Sequence, residues 1–202
     1  MQKGLLLVIS GPAGSGKGTV NAHLLKTGRF VYSVSATTRA PRPGEVDGVN
    51  YHYITREDFA DRIANGGMLE YTEYCGNFYG TPKKEAEEVL ASGKNLILEI
   101  EVEGAKQVKS KFPDAILILL LPPSFRAQET RLRGRGTETE DKILERLART
   151  REELKEIDAY DYVVLNEDGE DLTAAEDILA IVRAEQHHLR RNSDVATRYF
   201  AD

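Results

Sequence analysis

Apolar runs alternate with segments of helical spacing along most of the chain. Leu5 to Ser10 is an apolar run that ends at a glycine, which is typical of a buried strand, and Thr19 to Leu25 then has helical spacing. Further apolar runs separated by helix-like stretches are Leu96 to Ile100, Ile116 to Leu121 and Tyr162 to Leu165. Because strands and helices that alternate in this way favour a parallel sheet, we predict an α/β fold with crossover helices.

The second half of the chain contains two longer segments with one apolar face. We predict a helix from about Glu138 to Ile157 and another from about Thr173 to Arg190. The apolar stripe of the first is Ile143, Leu147, Leu154 and Ile157. The stripe of the second is Ile178, Leu179, Ile181 and Val182. Each helix is therefore expected to pack along one face.

The length of 202 residues suits one core better than two, so we predict a single domain. Two segments break the alternation of strands and helices, and we predict that they are insertions into this domain. Of the nine tyrosines and six phenylalanines in the chain, seven residues lie from Tyr51 to Tyr79, among glycines and short alternating pieces. Residues 126–151 carry seven arginines and one lysine against five acidic residues. We assign residues 34–90 to a small mixed α+β subdomain, 126–151 to a helical insertion, and 1–33, 91–125 and 152–202 to the core.

The charge balance restricts the partners of the chain. Its formal net charge is −6, and a long-range field of that sign repels polyphosphate, so we expect no nucleic acid and no membrane among its partners. Any phosphate site must then be a local concentration of donors. The one cysteine cannot form an internal disulfide, and no apolar run has the length of a membrane span or a secretory signal. We expect a cytoplasmic protein, either a monomer or a homo-oligomer.

The loop between the first strand and the first helix matches the phosphate-binding pattern G-x-x-x-x-G-K from Gly11 to Lys17. With its two following residues, this phosphate loop is Gly11, Pro12, Ala13, Gly14, Ser15, Gly16, Lys17, Gly18 and Thr19. Glycines let backbone N–H groups turn toward the β-phosphate, the lysine reaches the β- and γ-oxygens, and the helix offers its positive end. Gly18 stands where the general pattern has a magnesium-binding serine or threonine. We therefore predict a nucleoside triphosphate site in which other groups hold most of the magnesium shell.

A second motif follows the phosphate loop. Its residues Thr37, Thr38, Arg39, Arg42, Glu45, Gly48, Tyr51 and Tyr53 match every fixed position of T-T-R-x-x-R-x-x-E-x-x-G-x-x-Y-x-Y, so the segment resembles the guanylate kinase signature. The resemblance continues through Glu70, residues 76–81 and residues 135–139, and so covers nearly the whole chain. It implies a bacterial-type member of the P-loop nucleoside monophosphate kinases, which transfers the γ-phosphoryl group of ATP to GMP or dGMP with Mg²⁺ and so supplies guanine nucleotides. It also implies that residues 34–90 bind GMP and that residues 126–151 form a lid over ATP.

The resemblance assigns an acceptor site with two parts. The phosphate part is Arg39, Arg42, Tyr51 and Tyr79, and the guanine part is Ser35, Glu70 and Thr81. Arginine suits the first part because its planar fork grips a phosphate with two bonds. A carboxylate with hydroxyl groups suits the second, since guanine presents the N1 and N2 protons beside the O6 acceptor. Adenine lacks that donor pair and would leave a buried carboxylate without partners.

Glu99 and Glu101 lie at the carboxyl end of the predicted strand Leu96 to Ile100, at the sheet edge where ligands bind in open α/β folds. The family commonly reads D-x-D here, so Glu-Ile-Glu departs from it with longer side chains. At least one of the two should orient the water shell of the metal or the guanine amino group. We assign Glu101 to the base and Glu99 to the metal through water, with a helix-capping or solvated acid as the alternative for each.

The resemblance makes further assignments on the ATP side. They are Arg131 and Arg135 at ATP, Asn166 at the adenine, and a catalytic set of Lys17, Arg39, Arg135 and Arg146. Phosphoryl transfer spreads charge over the γ-phosphoryl oxygens, so catalysis needs positioned cations and no covalent nucleophile. A solvated charged helix is the alternative for the lid arginines.

Two other functions compete with this interpretation. One is a kinase of a different acceptor on the same fold, against which Glu70 and the hydroxyl pair of Ser35 and Thr81 argue. The other is a guanylate kinase-like domain retained for protein interaction. Such modules typically lose loop or lid residues, whereas this chain keeps Lys17, Arg39, Arg131 and Arg135.

Overall fold

This computed structural model describes residues 3–74, 76–134, 136 and 139–201, which contain both strands and helices. The strands are β1 (Leu6–Ser10), β2 (Phe30–Tyr32), β3 (Ala36–Thr37), β4 (His52–Tyr53), β5 (Met68–Tyr74), β6 (Asn77–Pro82), β7 (Asn95–Leu98), β8 (Ile116–Leu121) and β9 (Tyr162–Leu165). The α-helices are α1 (Lys17–Lys26), α2 (Arg56–Ala64), α3 (Lys83–Ala91), α4 (Val102–Lys111), α5 (Phe125–Gly134), α6 (Glu140–Glu153), α7 (Asp171–His187) and α8 (Val195–Tyr199). Two 3-10 helices span Leu154–Ala159 and Leu189–Arg191.

Five strands form a parallel sheet in the order β2-β7-β1-β8-β9. β1 lies in the middle, where Leu7 pairs with Ile97 on one side and with Ile116 on the other. Every residue of β1 is buried, because both faces of the sheet are covered, and this explains its unbroken apolar run. The predicted α/β class with its parallel sheet is confirmed.

Two apolar clusters fill the space on either side of this sheet. Leu7 and Ile9 of β1 pack with Ile178 and Val182 of α7, and the other two residues of the predicted α7 stripe pack against them partly buried. Val8 points to the opposite face and packs with residues of α3 and α4. Within the described ranges, no helix is both long enough and apolar enough to cross a membrane.

Residues 36–82 contain a second sheet, with four strands in the order β4-β3-β6-β5. β3 pairs in parallel with β4 and antiparallel with β6, so the sheet is mixed. Phe59 of α2 is fully buried and stacks on Phe78, with 5.3 Å between the ring centroids. This sheet lies within the segment 34–90 that the sequence assigns to a subdomain. The helix that follows it, α3, places Leu90 in the core cluster of the main sheet.

The carboxyl end of β7 comes earlier than predicted. The strand ends at Leu98 rather than Ile100, because its pairing with β1 stops there. The Ile100 carbonyl accepts a 2.7 Å hydrogen bond from the Ser10 hydroxyl instead of a strand partner. Glu99 therefore lies in the turn after β7, and Glu101 occupies the N-cap position of α4 without a capping hydrogen bond to its side chain.

The predicted helix of residues 138–157 corresponds to α6 followed by a 3-10 helix. Ile143 and Leu147 of α6 are buried with Leu132 of α5, as their spacing predicts. Ile157 is instead 43% exposed, because the tighter 3-10 turn rotates it away from that face. The last long helix, α7, begins and ends slightly earlier than predicted.

Candidate active site

The phosphate loop connects β1 to α1 at the carboxyl edge of the main sheet. Gly14 and Gly16 have φ angles of 87° and 89°, a region that glycine enters without strain. A Cβ at Gly16 would also lie 2.2 Å from Nδ2 of Asn166. Gly18 differs, since no atom lies within 4 Å of a Cβ placed there. The loop therefore needs glycine at Gly16 for both conformation and space, whereas the site of Gly18 is open.

Lys17 begins α1, and its ammonium group folds back over the phosphate loop. Nζ donates to the carbonyl of Gly11 at 2.6 Å and to that of Pro12 at 3.3 Å. Backbone N–H groups in the first turn of α1 add the positive end of the helix dipole. The sequence thus places a point charge and a set of backbone donors at one loop, which suits an anion.

Two side chains from other elements brace the phosphate loop. Asn166 follows β9, is 1% exposed, and donates from Nδ2 to the Ser15 carbonyl at 2.9 Å. Arg131 of α5 donates to the carbonyls of Gly14 at 3.3 Å and Asn166 at 2.7 Å. Its guanidinium also pairs with Asp168 at 2.7 Å. Both side chains contact loop backbone, and the ATP contacts assigned to them stay predictions.

A cavity of about 420 Å³, called here the larger cavity, opens beside the phosphate loop. Its wall includes Lys17 on the loop side, Glu99 and Glu101 in the turn after β7, and Arg146 and Arg149 on α6. Cations from two elements therefore face one opening at the sheet edge. Such an arrangement can neutralise a polyphosphate.

A cavity of about 100 Å³, called here the smaller cavity, is lined from both sheets. Its wall includes Tyr32 of β2, Thr81 of β6, and Ser35 and Tyr51 between strands. Glu99 and its neighbour Ile100 line the smaller and the larger cavity alike. The two openings are therefore adjacent, with a carboxylate at their junction.

Arg39 and the two tyrosines predicted to bind the acceptor phosphate, Tyr51 and Tyr79, lie together beside the smaller cavity. The guanidinium of Arg39 lies 5.6 Å from the ring centroid of Tyr51, whose own centroid lies 6.0 Å from that of Tyr79. NH2 of Arg39 is 3.0 Å from each carboxylate oxygen of Glu45. Arg42 is exposed in the same loop, and its backbone N–H also donates to Glu45. Three of the four side chains predicted to bind the acceptor phosphate thus form one cluster, and the fourth, Arg42, lies on the loop beside it.

Glu70 and Thr81 form a buried pair on neighbouring strands. The two residues face each other in the β5 and β6 pairing, and the Thr81 hydroxyl donates to Glu70 Oε1 at 2.7 Å. Burial raises the pKa of the Glu70 carboxyl, and the hydrogen bond from Thr81 opposes that rise. The pair combines a carboxylate with a hydroxyl oxygen, and both groups can accept hydrogen bonds from N–H donors.

Glu99 is held in place by two hydrogen bonds. Its Oε2 accepts from Nδ2 of Asn21 at 2.9 Å and from the Tyr32 hydroxyl at 3.0 Å. Burial and the charge of Glu99 raise the pKa of Tyr32, so the phenol stays a donor. The negative charge at the junction of the two cavities is thereby fixed in position.

Glu101 and two arginines of α6 lie on the side of the larger cavity. Glu101 forms an ion pair with Arg149 of α6, and both side chains are more than half exposed. Arg146 lies on the same helix and lines the cavity. Arg135 lies outside the described residues. A contact between Glu101 and the base stays a prediction.

Comparison with known proteins decides the family. The model of the family described as Guanylate kinase matches residues 3–184. The chain belongs to the guanylate kinase family. It is 52% identical over 192 residues to the guanylate kinase of Bacillus anthracis, covering 94% of this chain and 92% of the relative. It is 46% identical over 203 residues to that of Clostridioides difficile (strain 630), covering 100% and 98%.

A solved structure agrees with this assignment. The guanylate kinase from Anaplasma phagocytophilum superposes with a TM-score of 0.72 at 35% sequence identity, covering 95% of this chain and 90% of that one. The family resemblance inferred from the two motifs is therefore confirmed, and the guanylate kinase fold agrees with the predicted class.

Apart from Arg135, which lies outside the described residues, the predicted site residues of this guanylate kinase family member fall into two groups. Those that line a cavity are Gly11, Pro12, Ala13, Lys17, Glu99, Glu101 and Arg146 for the larger one, and Ser35, Tyr51, Thr81 and Glu99 for the smaller one. Those that line neither cavity are Gly14, Ser15, Gly16, Gly18, Thr19, Arg39, Arg42, Glu70, Tyr79, Arg131 and Asn166. The roles assigned to both groups stay predictions.

Three further side chains hold predicted site residues in place, and the sequence analysis gave none of them a role. Glu45 occupies a fixed position of the signature, so the motif itself carried the signal. Asn21 and Tyr32 had no such signal, because their partner Glu99 is 78 and 67 residues away in the chain. Long-range partners of this kind are visible only once the sheet is assembled.

Proposed function

We propose that the chain transfers the γ-phosphoryl group of ATP to GMP, giving ADP and GDP. The observation that carries this proposal is the adjacency of two unlike openings that share Glu99 and Ile100. The larger cavity lies at the phosphate loop and includes Lys17. The smaller cavity is lined by Thr81, whose hydroxyl donates to the buried carboxylate of Glu70. Two nucleotides bound there would bring a γ-phosphoryl group and an acceptor phosphate to the same junction. Membership of the guanylate kinase family supports this reaction.

On the donor side, the phosphate loop would cradle the β-phosphate through its backbone N–H groups. Lys17 would neutralise charge on the β- and γ-oxygens, and Arg146 would do so from α6. We propose that residues 126–151, including Arg131 and Arg135, act as a lid that closes over ATP. Closure excludes water, which would otherwise accept the phosphoryl group.

On the acceptor side, Arg39, Arg42, Tyr51 and Tyr79 would hold the phosphate of GMP. Ser35, Glu70 and Thr81 would read the guanine base, with residues 34–90 as the GMP-binding subdomain. Glu101 remains the candidate for an additional contact to the base. The same set accepts dGMP, because none of these groups is assigned to the sugar hydroxyl.

The carboxylate oxygens of Glu99, at the junction of the two cavities, also suit a Mg²⁺ ion that arrives with ATP. Glu99 is a carboxylate held toward both cavities by Asn21 and Tyr32, and it would hold a water of the metal shell. Gly18 is exposed and offers no oxygen from a side chain. When bound, the ion neutralises charge on the β- and γ-phosphates. Among the described residues, no three His, Cys, Asp or Glu side chains cluster as a metal site of their own.

Transfer of label tests the reaction directly. The protein is incubated with GMP, Mg²⁺ and ATP labelled on its γ-phosphoryl group, and the products are separated. Label should appear in GDP and depend on Lys17, so that Lys17→Met abolishes it. Label that appears only in inorganic phosphate would contradict the proposal.

A further inference from the structure

One carboxylate, that of Glu45, ties together the loop that carries both candidate phosphate-binding arginines. NH2 of Arg39 lies 3.0 Å from each of its oxygens. The backbone N–H of Arg42 donates to Oε2 at 2.7 Å, and the Tyr53 hydroxyl donates to the same atom at 2.8 Å. Glu45 therefore joins the start of the loop, its middle and the strand that follows it.

These contacts keep the carboxylate ionised. The backbone hydrogen bond from Arg42, with those from Tyr53 and Arg39, lowers the pKa of Glu45 to about 2. In the neutral range it is thus a permanent negative charge, and its hydrogen bonds are charge-assisted.

Protein atoms alone fix the guanidinium of Arg39. Besides the pair with Glu45, NH1 donates to the Ala40 carbonyl at 2.7 Å, and the group lies 5.6 Å and 5.9 Å from the ring centroids of Tyr51 and Tyr53. The side chain of Arg39 is only 15% exposed. An unconstrained arginine has many rotamers to lose on binding an anion, and this one has lost them already.

A carboxylate beside a phosphate site has two opposed effects. Its charge repels the incoming anion and competes with it for Arg39. It also holds the arginine and the loop in one geometry before the phosphate binds, which lowers the entropic cost of binding. Glu45 has two partners in the loop and a third, Tyr53, on β4, so its loss would loosen Arg42 and the whole turn as well as Arg39.

We propose that Glu45 is a positioning residue of the acceptor site, which holds Arg39 and the loop of residues 39–45 in the geometry that receives the phosphate of GMP. This rests on the proposed function in one respect, the identity of the acceptor. Glu45 acts through Arg39 and Arg42 and does not itself touch the reacting atoms.

Steady-state kinetics with wild type, Glu45→Gln and Tyr53→Phe test the proposal. Glu45→Gln should raise KM for GMP about 10-fold, equivalent to about 1.4 kcal/mol, with kcat and KM for ATP changed less than about twofold. Tyr53→Phe should give a smaller rise, and the double variant should match Glu45→Gln alone, because the hydroxyl acts through that carboxylate. Glu57→Gln, an exposed glutamate in the first turn of α2, is the matched control and should leave every constant unchanged.

Calorimetry separates positioning from a general loss of structure. Glu45→Gln should weaken binding of GMP but leave binding of guanosine, which has no phosphate, as in wild type. Equal weakening of both, or a fall in kcat and in ATP affinity together, would assign Glu45 a merely structural role. An unchanged or lowered KM for GMP would show that repulsion outweighs positioning, and would overturn the proposal.

The outcomes also distinguish this proposal from the proposed function. Wild-type protein that binds GMP without phosphorylating it would contradict the reaction, while the comparison of GMP with guanosine would still decide the role of Glu45. Wild-type protein that binds no GMP would overturn both.

Discussion

The Thr81 hydroxyl donates a 2.7 Å hydrogen bond to Oε1 of Glu70, and the two residues are 0% and 4% exposed. This bond satisfies one oxygen of a carboxylate whose pKa is raised by burial. The other oxygen, Oε2, lies 3.0 Å from where a Cβ on Gly104 would be, so the first turn of α4 closes over it. A buried carboxylate of this kind should gain from a ligand that brings two N–H donors.

Replacement of Glu70 by glutamine should therefore separate activity from stability. Because burial disfavours the charged form, Glu70→Gln removes a cost of folding, and its free energy of unfolding near pH 7 should equal or exceed that of wild type. The amide carries no charge and has an NH2 donor in place of one acceptor oxygen, so kcat/KM for GMP should fall about 100-fold. Denaturant unfolding and kinetics on the same preparation check both. Unchanged use of GMP would remove Glu70 from the base site.

The phosphate loop offers a matched pair of glycines. Gly16→Ala forces a side chain into a backbone with φ of 89° and into contact with Asn166, so it should lower the free energy of unfolding by about 2 kcal/mol or more. Gly18→Ala meets open space in the first turn of the helix that follows and should be neutral or slightly stabilising in thermal unfolding. Equal melting temperatures for the two variants would contradict the loop geometry described above.

A buried carboxylate far from the site makes a pH-dependent contribution to stability. Burial alone would raise the pKa of Glu185, but hydrogen bonds from Tyr162, Arg191 and Arg190 outweigh it and hold the pKa at about 2. A folded pKa below the unfolded value of about 4.3 means that the stabilisation is full above that pH and is lost as pH falls toward 2.

Glu185→Gln tests this contribution. The variant should be about 2 kcal/mol less stable than wild type near pH 7, because three donors lose a charged acceptor. The difference should shrink as the pH falls below about 4. Denaturant titrations of both proteins across this pH range measure the difference in free energy of unfolding. A difference that does not change with pH would contradict the lowered pKa of Glu185.

Local patterns in the sequence were sufficient for the fold class and for the phosphate loop. The apolar run of β1, the loop glycines and Lys17 are contiguous, so their geometry follows from a few neighbouring residues. The acceptor loop was recognised in the same way, because Arg39 to Tyr53 form one continuous motif. The family comparison confirms the resemblance that these segments carry.

Contacts between distant segments could not be derived in this way. Asn166 braces Ser15 across 151 residues, and nothing local to either residue indicates the pairing. The end of β7 was misplaced for a related reason, since Ile100 is apolar like the strand but its carbonyl bonds to the Ser10 hydroxyl. The positions of Glu99 and Glu101 depend on this hydrogen bond between distant residues, and the apolar pattern of the strand does not reveal it.

In the proposed reaction, the acceptor is recognised through its guanine base. The most direct measurement is kcat/KM with saturating ATP and Mg²⁺ for GMP, dGMP, AMP, CMP and UMP. GMP should be preferred over AMP by at least about 100-fold, because adenine would leave the Glu70 carboxylate without its donor pair. Comparable turnover of AMP and GMP would contradict it.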